Sequence, residues 1–294
     1  MLALHCPLRG LYSDTMNYRH IYHAGNFADV VKHVTLIALL EALQRKDKPF
    51  CYLDTHAGIG SYRLDSEAAG KTQEFRGGIA RVLKASSLSG LLARYVDLVA
   101  LFNDSEAMTI YPGSPALALS LLREQDRAVL NELHAVDAAA LKALFRADPR
   151  VAVHRSDGYH ALKAFVPPRE RRGLVLIDPP FEQPGEFQRM VEGLCDAYAR
   201  WPGGVYALWY PLKDRREVQR FHRGLEKSGI RRQLLIEFRL RNERPDGGLA
   251  GTGMIVVNPP WQLEEGLRPA LQQLQSLLGE DAPAQLRLEW LVPE

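Results

Sequence analysis

The sequence predicts an α/β fold in which helices cover both faces of a doubly wound sheet. Short apolar runs rich in branched residues alternate with longer segments whose apolar residues recur at helical spacing. Several of the short runs stop at an acidic residue, a proline or a glycine, as strands do where a sheet binds a ligand. This alternation of strand and helix also predicts right-handed crossovers between the strands.

The composition indicates a globular protein and argues against several other classes. The chain has 294 residues, of which 46% are hydrophobic and 24% are charged. No apolar run approaches the roughly 18 residues of a membrane span, and no secretory signal is evident. The cysteines Cys6, Cys51 and Cys195 are far apart, which argues against a disulfide framework and a zinc site. We therefore expect a cytoplasmic protein with no membrane partner, and we expect a monomer.

The N-terminal segment divides at Met16. Residues 1–15 have no periodicity and are predicted to be a disordered extension, so one hypothesis is that translation starts at Met16 rather than Met1. Residues 29–43 predict a helix, with Asp29 in the first turn, where the helix dipole favours an acid. Three histidines lie in this region, namely His20, His23 and His33. Their spacing lacks acidic or cysteine partners, so we expect no metal.

The first predicted strand, 49–54, runs into a glycine-containing turn. Gly58 and Gly60 would let a ligand approach the backbone closely, as in dinucleotide-binding folds. The turn is not the Gly-x-Gly-x-x-Gly pattern of those folds, however. Asp54 and His56 beside the glycines instead favour a ligand that carries an amino-acid end, although an ordinary tight turn would have the same composition.

Residues 62–108 interrupt the alternation, because they contain helix-like stretches and no clear strand. We interpret them as a helical insertion subdomain within a sheet domain made of residues 16–61 and 109–294. After the insertion, a helix is predicted over 116–123, with Ser114 as its N-cap.

Two further strands are followed by polar residues. The predicted strand 128–133 has Glu132 near its end, where nucleotide-binding folds use an acid to accept from ribose hydroxyls. The predicted strand 151–154 is followed by Asp157 and Gly158. The helices after these strands are predicted at 137–145 and 159–165.

The strand 173–177 is a continuous apolar run, which is typical of a parallel strand buried on both faces. It ends at Asp178-Pro179-Pro180-Phe181. The Asp178 carboxylate and the Pro179 carbonyl could both accept hydrogen bonds from an aromatic amine such as adenine N6, which would make the nitrogen more nucleophilic. Phe181 could stack on the base, a contact of roughly 1–3 kcal/mol. The alternative is an ordinary proline turn at the end of a strand.

The rest of the chain continues the alternation. Helices are predicted at 186–200 and 215–227, strands at 204–210, 231–240 and 254–257, and a polar loop at 241–253, with Pro211 closing the strand before it. Asn258-Pro259-Pro260-Trp261 is similar to the tetrapeptide at Asp178. Because it follows the last predicted strand rather than the fourth, we interpret it as structural.

These motifs together resemble the bacterial large-subunit ribosomal RNA adenine-N6 methyltransferases of the RlmJ type. The resemblance runs from about Tyr18 to Glu294, and its main anchors are Tyr18-Arg19-His20, His23-Ala24-Gly25-Asn26, Asp29-Val30-Val31-Lys32-His33, Leu53-Asp54-Thr55-His56-Ala57-Gly58, Tyr111-Pro112-Gly113-Ser114-Pro115, Glu132-Leu133-His134, Asp157-Gly158, Asp178-Pro179-Pro180-Phe181 and Ala207-Leu208-Trp209-Tyr210-Pro211. The sequence departs from the family in two ways: Phe181 replaces the commoner tyrosine, and residues 1–15 form an extension.

The resemblance implies a class I S-adenosylmethionine-dependent methyltransferase with a Rossmann-like sheet, no metal, and a specific adenine of 23S ribosomal RNA as substrate. It implies that the donor, S-adenosylmethionine, and its product, S-adenosylhomocysteine, contact Lys32, His33, His56, Ser114, Glu132, Asp157, Gly158 and Asp178. Within this set, Lys32, His33 and His56 would lie near the methionine portion, Glu132 would bind the ribose, and Asp157 with Gly158 the adenine. Asp178, Pro179 and Phe181 would be catalytic, and Tyr18 and His20 would contact the RNA.

RNA binding is expected to use local basic clusters, because the formal net charge is only +2. The candidate clusters are Arg169, Arg171 and Arg172; Lys213, Arg215 and Arg216; and Arg239, Arg241 and Arg244. Three alternatives remain open: a DNA adenine methyltransferase, a nucleotide-dependent dehydrogenase with the same sheet, and a non-catalytic RNA-binding assembly factor.

Overall fold

An eight-stranded sheet is the centre of the fold in the computed structural model, which describes residues 19–88, 90–103, 108–242, 248–279 and 284–294. The strands are β1 (Cys51–Asp54), β2 (Ser61–Arg63), β3 (Ile110–Pro112), β4 (Arg127–Asn131), β5 (Val151–His154), β6 (Gly173–Ile177), β7 (Val205–Leu212), β8 (Gln233–Arg239), β9 (Gly251–Val257) and β10 (Gln285–Val292). The helices are α1 (Phe27–Gln44), α2 (Glu67–Thr72), α3 (Ile79–Leu83), α4 (Gly90–Ala100), α5 (Ser114–Leu121), α6 (Ala135–Leu144), α7 (Gly158–Phe165), α8 (Glu186–Arg200), α9 (Arg215–Lys227) and α10 (Leu263–Leu278). In these ranges, none of the helices has the length and apolar character that crossing a membrane requires.

The strand order is β10-β8-β9-β7-β6-β1-β4-β5. Strands β5, β4, β1, β6 and β7 are parallel to one another, whereas β9 is antiparallel to both β7 and β8, and β10 is antiparallel to β8. Along the chain, β4 and β5 are added on one side of β1, and β6 and the later strands of this sheet are added on its other side. This order confirms the predicted α/β, Rossmann-like sheet, and it opens a ligand crevice at the carboxyl ends of β1, β4 and β6.

Strand β6 joins the two halves of the hydrophobic core. All five of its residues are buried, as the continuous apolar run predicted. Leu174 and Leu176 belong to the core on the face covered by α1 and α10, and Val175 and Ile177 to the core on the face covered by α8 and α9. This alternation follows from the two-residue period of a strand, and it holds the residue after Ile177 at a rigid edge.

Helix α1 begins with a side-chain cap. Asn26 Oδ1 accepts a hydrogen bond from the backbone N–H of Asp29 at 3.0 Å, which satisfies one of the free donors of the first turn. The helix spans Phe27–Gln44 and so contains the predicted range of 29–43. It is buried almost all round, because α5 and α10 pack beside it and the sheet lies below, and this burial encloses even Lys32 and His33.

The region between β1 and α5 differs from the prediction in two details. Residues 62–108 were expected to hold no strand, but β2 begins at Ser61 and pairs with β3 as a separate antiparallel sheet. Three residues are too few for an alternating pattern to be visible in the sequence. Ser114 is the first residue of α5 rather than its cap, which is Gly113. The division into an insertion subdomain and a sheet domain stays a prediction, and the predicted extension, 1–15, lies outside the described residues.

The C-terminal part corrects two expectations. Strand β7 continues through Pro211 to Leu212 instead of ending before the proline, which is tolerated because the pairing with β6 stops at Leu208 and leaves that side of the strand as an edge. The strand at 254–257 is also not the last, since α10 and the edge strand β10 follow it.

Candidate active site

A cavity of about 640 Å³ lies at the carboxyl edge of the parallel strands. It is lined by every expected site residue that the structure describes: His20, Lys32, His33, His56, Ser114, Glu132, Asp157, Gly158, Asp178, Pro179 and Phe181. Apart from His20, which precedes α1, these residues come from α1, the start of α5, the start of α7 and the ends of β1, β4 and β6, so the fold brings together residues that are far apart in the sequence. Tyr18 lies outside the described residues. The individual roles of these residues stay predictions.

Asp178 is joined to α1 by a buried ion pair. Lys32 Nζ donates to Asp178 Oδ2 at 2.5 Å and also lies 2.8 Å from Asp29 Oδ1. Burial alone would lower the Lys32 pKa, but the charges of Asp178 and Asp29 outweigh it and hold the pKa well above the ordinary value. The ammonium is therefore charged at neutral pH, and it leaves Oδ1 of Asp178 unbonded within the described residues.

Asp29 organises the chain before α1. Its Oδ2 accepts from the backbone N–H of Gly25 at 2.9 Å and lies 3.0 Å from His20 Nε2. Burial would raise the Asp29 pKa, but the charges of His20 and Lys32 lower it well below its ordinary value. The acid in the first turn of α1 is thus an ion-pair centre that fixes His20 at the cavity.

Aromatic rings form the wall beside Asp178. Phe181, which adopts a φ of 52°, packs edge-on against Phe187 with ring centroids 4.8 Å apart and against Trp209 at 5.9 Å. Trp209 Nε1 donates to Thr252 Oγ1 at 2.7 Å, which fixes the indole, and Lys32 Nζ lies 5.8 Å from its ring centroid. A flat ligand that entered beside Asp178 would meet these ring surfaces.

Asp54 is a buried carboxylate beneath the cavity. Its Oδ2 accepts hydrogen bonds from Tyr52 OH and Ser114 Oγ, each at 2.7 Å. Burial raises its pKa, although both hydrogen bonds act in the opposite direction. The Ser114 hydroxyl therefore donates to Asp54, and only its lone pairs remain for a ligand.

Glu132 holds the turn after β1. Its Oε2 accepts from the Gly58 N–H at 2.8 Å, and its Oε1 accepts from the His134 N–H at 2.8 Å. Gly58 has a φ of +60°, and a Cβ there would lie 2.3 Å from the Tyr62 hydroxyl oxygen. This position requires glycine, and the hydrogen bond from its N–H brings the turn after β1 against the Glu132 carboxylate at the end of β4.

His56 lies against the start of α7. A Cβ on Gly158 would come within 2.3 Å of His56 Nε2, so the imidazole needs a glycine at that place. His56 Nδ1 lies 2.9 Å from Thr55 Oγ1. Asp157 caps α7, because its Oδ1 accepts from the N–H groups of Tyr159 and His160 at 3.0 Å each.

His33 ends a buried chain of hydrogen bonds. Its Nδ1 lies 2.7 Å from Tyr111 OH, and Tyr111 OH lies 3.0 Å from Tyr95 OH. Burial lowers the His33 pKa to about 3, so the imidazole is neutral at pH 7. Its Nε2 has no hydrogen-bond partner in the described part of the chain, and His33 is one of the residues that line the cavity.

Some functional candidates were missed from the sequence. Asp29 was predicted only as a favourable charge in a helix, and neither the role of Tyr111 beside His33 nor the position of Trp209 in the cavity wall was predicted. Ala207–Pro211 resembles the stretch around Asp178, because an apolar strand leads into aromatic residues and a proline, and this similarity was a signal for Trp209. The contacts of Asp29 and Tyr111 join distant parts of the chain and leave no local pattern. Within the ranges that the structure describes, no group of three or more His, Cys, Asp and Glu side chains could hold a metal ion.

The second proline tetrapeptide lies away from the cavity. Asn258 follows β9, which is antiparallel to β7, so it lies at the opposite edge of the sheet. Its side-chain amide donates to the carbonyls of Pro202 and Gly204 at 2.8 Å each. These bonds support its interpretation as a structural turn.

The basic clusters divide between the two edges of the sheet. Lys213, Arg215 and Arg216 follow β7, and Arg239 and Arg241 lie at the end of β8, which is parallel to β7, so both groups lie at the cavity edge. Lys213 lines the cavity itself. The cluster at 169–172 lies at the opposite edge of the sheet, because it precedes β6 and Arg172 donates to the Lys48 carbonyl at 2.6 Å. Arg244 lies outside the described residues.

Comparison with known proteins gives consistent matches over most of the chain. The family model "Ribosomal RNA large subunit methyltransferase D, RlmJ" matches residues 47–292. The chain is 45% identical over 279 residues to Ribosomal RNA large subunit methyltransferase J of Escherichia coli (strain K12), and 42% identical over 280 residues to the protein of that name in Haemophilus influenzae. Both alignments cover 95% of this chain and 100% of the relative. The crystal structure of protein LPL1258 from Legionella pneumophila is 34% identical, with a TM-score of 0.85, and the match covers 91% of this chain and 98% of that one.

Proposed function

The chain belongs to the RlmJ family of ribosomal RNA large subunit methyltransferases, and from this premise we propose that it methylates the N6 amino group of a specific adenine in 23S ribosomal RNA. S-adenosylmethionine would supply an electrophilic methyl group on a sulfonium. The observation that carries the proposal is the Asp178 carboxylate at the end of β6, held in the cavity wall beside Pro179 and aromatic rings. The expectation of a cytoplasmic monomer stays a prediction.

The cavity supports the proposed donor site. Its volume of about 640 Å³ lies within the roughly 300–1,000 Å³ of small-molecule sites. Gly58 lines the cavity without a side chain, and Glu132 beside it would offer carboxylate oxygens for ribose hydroxyls. The unpartnered His33 Nε2 and the neighbouring His56 suit the polar amino-acid end. Asp157 and Gly158 would then contact the adenine of the donor.

Asp178 is the proposed acceptor for the target amine. Lys32 occupies Oδ2 and leaves Oδ1 to accept a hydrogen bond from N6. The Pro179 carbonyl would accept from the second N6 hydrogen, and proline rigidity keeps the two acceptors in fixed positions. Nitrogen gains positive charge as its new bond forms, so a preorganised carboxylate stabilises the transition state more than the ground state.

Lys32 would tune this carboxylate rather than accept a proton. Its raised pKa keeps it as an ammonium, which cannot accept a proton from the substrate. It fixes the orientation of Asp178, and Asp29 in turn holds the ammonium in place. The proton released by the amine would instead leave through Asp178 Oδ1. It could pass from there to solvent, because 14% of the Asp178 side-chain surface is exposed.

The proposed target base enters from the RNA surface. Extruding an adenine from its stack costs a few kcal/mol, which stacking against Phe181 and Trp209 would offset. The exposed basic residues after β7 border the cavity and would bind the phosphates on either side of that base. Tyr18 and His20 are proposed to contact the same RNA.

Base mapping tests the proposal against its rivals. The protein would be incubated with methyl-labelled S-adenosylmethionine and with unmodified 23S ribosomal RNA, 16S ribosomal RNA or duplex DNA in parallel. We expect label in N6-methyladenine at one position of the 23S RNA only. Label in the duplex DNA would favour a DNA methyltransferase, and binding of RNA without transfer in a single turnover would favour an assembly factor.

A further inference from the structure

Three buried groups connect the protein interior to the cavity wall. Tyr95 OH lies 3.0 Å from Tyr111 OH, which lies 2.7 Å from His33 Nδ1. The exposed fractions are 0% for both tyrosines and 1% for His33. The imidazole also stacks on the Tyr111 ring, with centroids 5.5 Å apart. Water is therefore excluded from this hydrogen-bond chain. The direction in which its hydroxyl groups donate depends on the partners that are available at its two ends, Tyr95 and His33.

The interior end sets the direction of the chain. Among the described residues, the Tyr95 hydroxyl has Tyr111 as its hydrogen-bond partner and no other. When Tyr95 donates to Tyr111 and Tyr111 donates to His33 Nδ1, both hydroxyl hydrogens have acceptors. Each direction leaves one buried donor unpaired: in the opposite direction it is the Tyr95 hydrogen, in the interior, whereas in the first direction it is on His33, which lines the cavity and can be reached by a ligand. The first direction is therefore favoured.

This direction fixes the state of His33. Burial lowers the pKa of the imidazole to about 3, so it is neutral at pH 7 and carries one N–H. Because Nδ1 accepts from Tyr111, that hydrogen lies on Nε2. Nε2 is also the atom that has no partner in the described structure, and it belongs to a residue that lines the cavity. His33 therefore carries a buried hydrogen-bond donor without an acceptor in the described structure, at the border of the cavity.

We propose that Tyr111, held by Tyr95, is a positioning residue that orients His33 to donate from Nε2 to the carboxylate of the methionine portion of the methyl donor. This inference rests on the proposed function and specifies how that site recognises its ligand. The amino-acid end of the donor carries an ammonium and a carboxylate, and an N–H donor can bind only the second. The hydroxyl chain thus selects which of the two groups faces α1.

The tautomer of His33 can be read without any ligand. In long-range ¹H–¹⁵N correlation spectra of the full-length protein labelled at histidine, we expect His33 to carry its hydrogen on Nε2 only, with the signal assigned from the spectrum of His33→Gln. In Tyr111→Phe neither tautomer has an Nδ1 partner, so we expect a mixture. A wild-type hydrogen on Nδ1 would overturn the proposal, and this deciding readout is made on the wild-type protein.

Ligand binding tests the carboxylate contact. Calorimetric affinities would be compared for S-adenosylhomocysteine and for its analogue that lacks only the carboxylate. Tyr111→Phe should weaken S-adenosylhomocysteine binding about three- to tenfold and leave binding of the analogue unchanged. The matched control is Tyr206→Phe. It removes a buried hydroxyl that donates to the Trp201 carbonyl over 2.8 Å, and Tyr206 does not line the cavity, so this variant should change neither affinity.

The outcomes separate the two proposals. Equal weakening of both ligands by Tyr111→Phe, or no weakening, would overturn the carboxylate contact while the protein still bound its donor. If the wild-type protein failed to bind S-adenosylhomocysteine, the proposed function and the contact would both be wrong, and the tautomer spectrum would still decide the direction of the hydroxyl chain.

Discussion

Lys32 Nζ lies 2.5 Å from Asp178 Oδ2 and thereby joins the first helix to the end of β6, across 146 positions of sequence. The same ammonium lies 2.8 Å from Asp29 Oδ1, so one buried cation compensates two carboxylates. The carboxylate that we propose to act on the substrate amine is therefore held by the N-terminal part of the chain, which also carries His20 to the cavity.

Replacing this cation should destabilise the protein. In Lys32→Met, Asp29 and Asp178 lose their shared cationic partner. The Asp29 side chain is only 3% exposed, so water cannot replace that partner. We expect the free energy of unfolding, measured with urea at pH 7, to fall by about 3–5 kcal/mol. The double variant Asp29→Asn, Lys32→Met should recover part of this loss, because it removes one of the uncompensated charges. A single variant as stable as the wild type would contradict the importance of this ion pair.

The neutral state of His33 predicts a loss of stability in mild acid. Its pKa is lowered from 6.5 to about 3 in the folded protein, so the unfolded chain binds a proton more readily between these values. The stabilising contribution is complete above about pH 6.5 and is lost as the pH falls towards 3. At pH 5 this linkage amounts to about 2 kcal/mol relative to neutral pH.

Unfolding of variants at pH 7 and pH 5 checks this linkage. His33→Gln should reduce the difference in unfolding free energy between the two pH values by the contribution of His33. His160→Gln, which replaces an exposed histidine of α7, is the matched control and should leave the difference as it is. If both variants kept the wild-type difference, the buried imidazole would not be the titrating group.

Ser114 should affect stability as well as the donor site. Its hydroxyl donates to the fully buried Asp54 at 2.7 Å, so Ser114→Ala leaves that oxygen with Tyr52 as its remaining donor. We expect the free energy of unfolding to fall by about 1–3 kcal/mol. The control is Ser120→Ala in the same helix, whose hydroxyl donates only to the Ala116 carbonyl, and it should have a much smaller effect. Similar losses in both variants would indicate that Asp54 does not depend on Ser114.

The sequence predicted the central part of the fold because its signals are local. The β6 run, the Asp178 tetrapeptide and the apolar period of α1 with Asp29 in its first turn can each be recognised within about a dozen residues. Strands β2 and β3 are too short to show a pattern, and β7 passes through Pro211 only because its neighbour ends earlier. Strand β10 is recognisable in the sequence, because Leu286, Leu288 and Trp290 alternate with polar residues.

The site was predictable as a set of residues but not as a set of contacts. Glu132 and Asp178 could be identified from their places at strand ends, and His33 from the family resemblance. The partners that set their chemistry, Tyr111 for His33 and Lys32 for Asp178, are 78 and 146 positions away. Such pairs depend on how the crossovers pack against the sheet, and a linear pattern does not contain that information.

The basic residues after β7 predict a salt-dependent RNA contact at the cavity edge. Removing Lys213, Arg215 and Arg216 together by alanine substitution should weaken binding to ribosomal RNA. The plot of log affinity against log salt should become shallower by up to roughly 2, because each lost phosphate contact of a single strand contributes about 0.7 to the slope. Filter binding between low and physiological salt measures both effects.

The opposite edge of the sheet supplies the control for this measurement. Arg169→Ala with Arg171→Ala removes two charges that precede β6, on the side away from the cavity. That variant should keep the wild-type slope. If it changed the slope as much as the variant after β7, the RNA would not be bound at the cavity edge.

Methyl transfer by Asp178→Asn tests the central claim most directly. The variant keeps the shape of the side chain and removes its charge, so S-adenosylhomocysteine affinity measured by calorimetry should stay close to that of the wild type. The single-turnover rate of N6-methyladenine formation in 23S ribosomal RNA, measured by mass spectrometry, should fall by at least about 100-fold. A rate within a few-fold of the wild type, with the donor bound equally well, would contradict the assignment of Asp178 as the acceptor for the substrate amine.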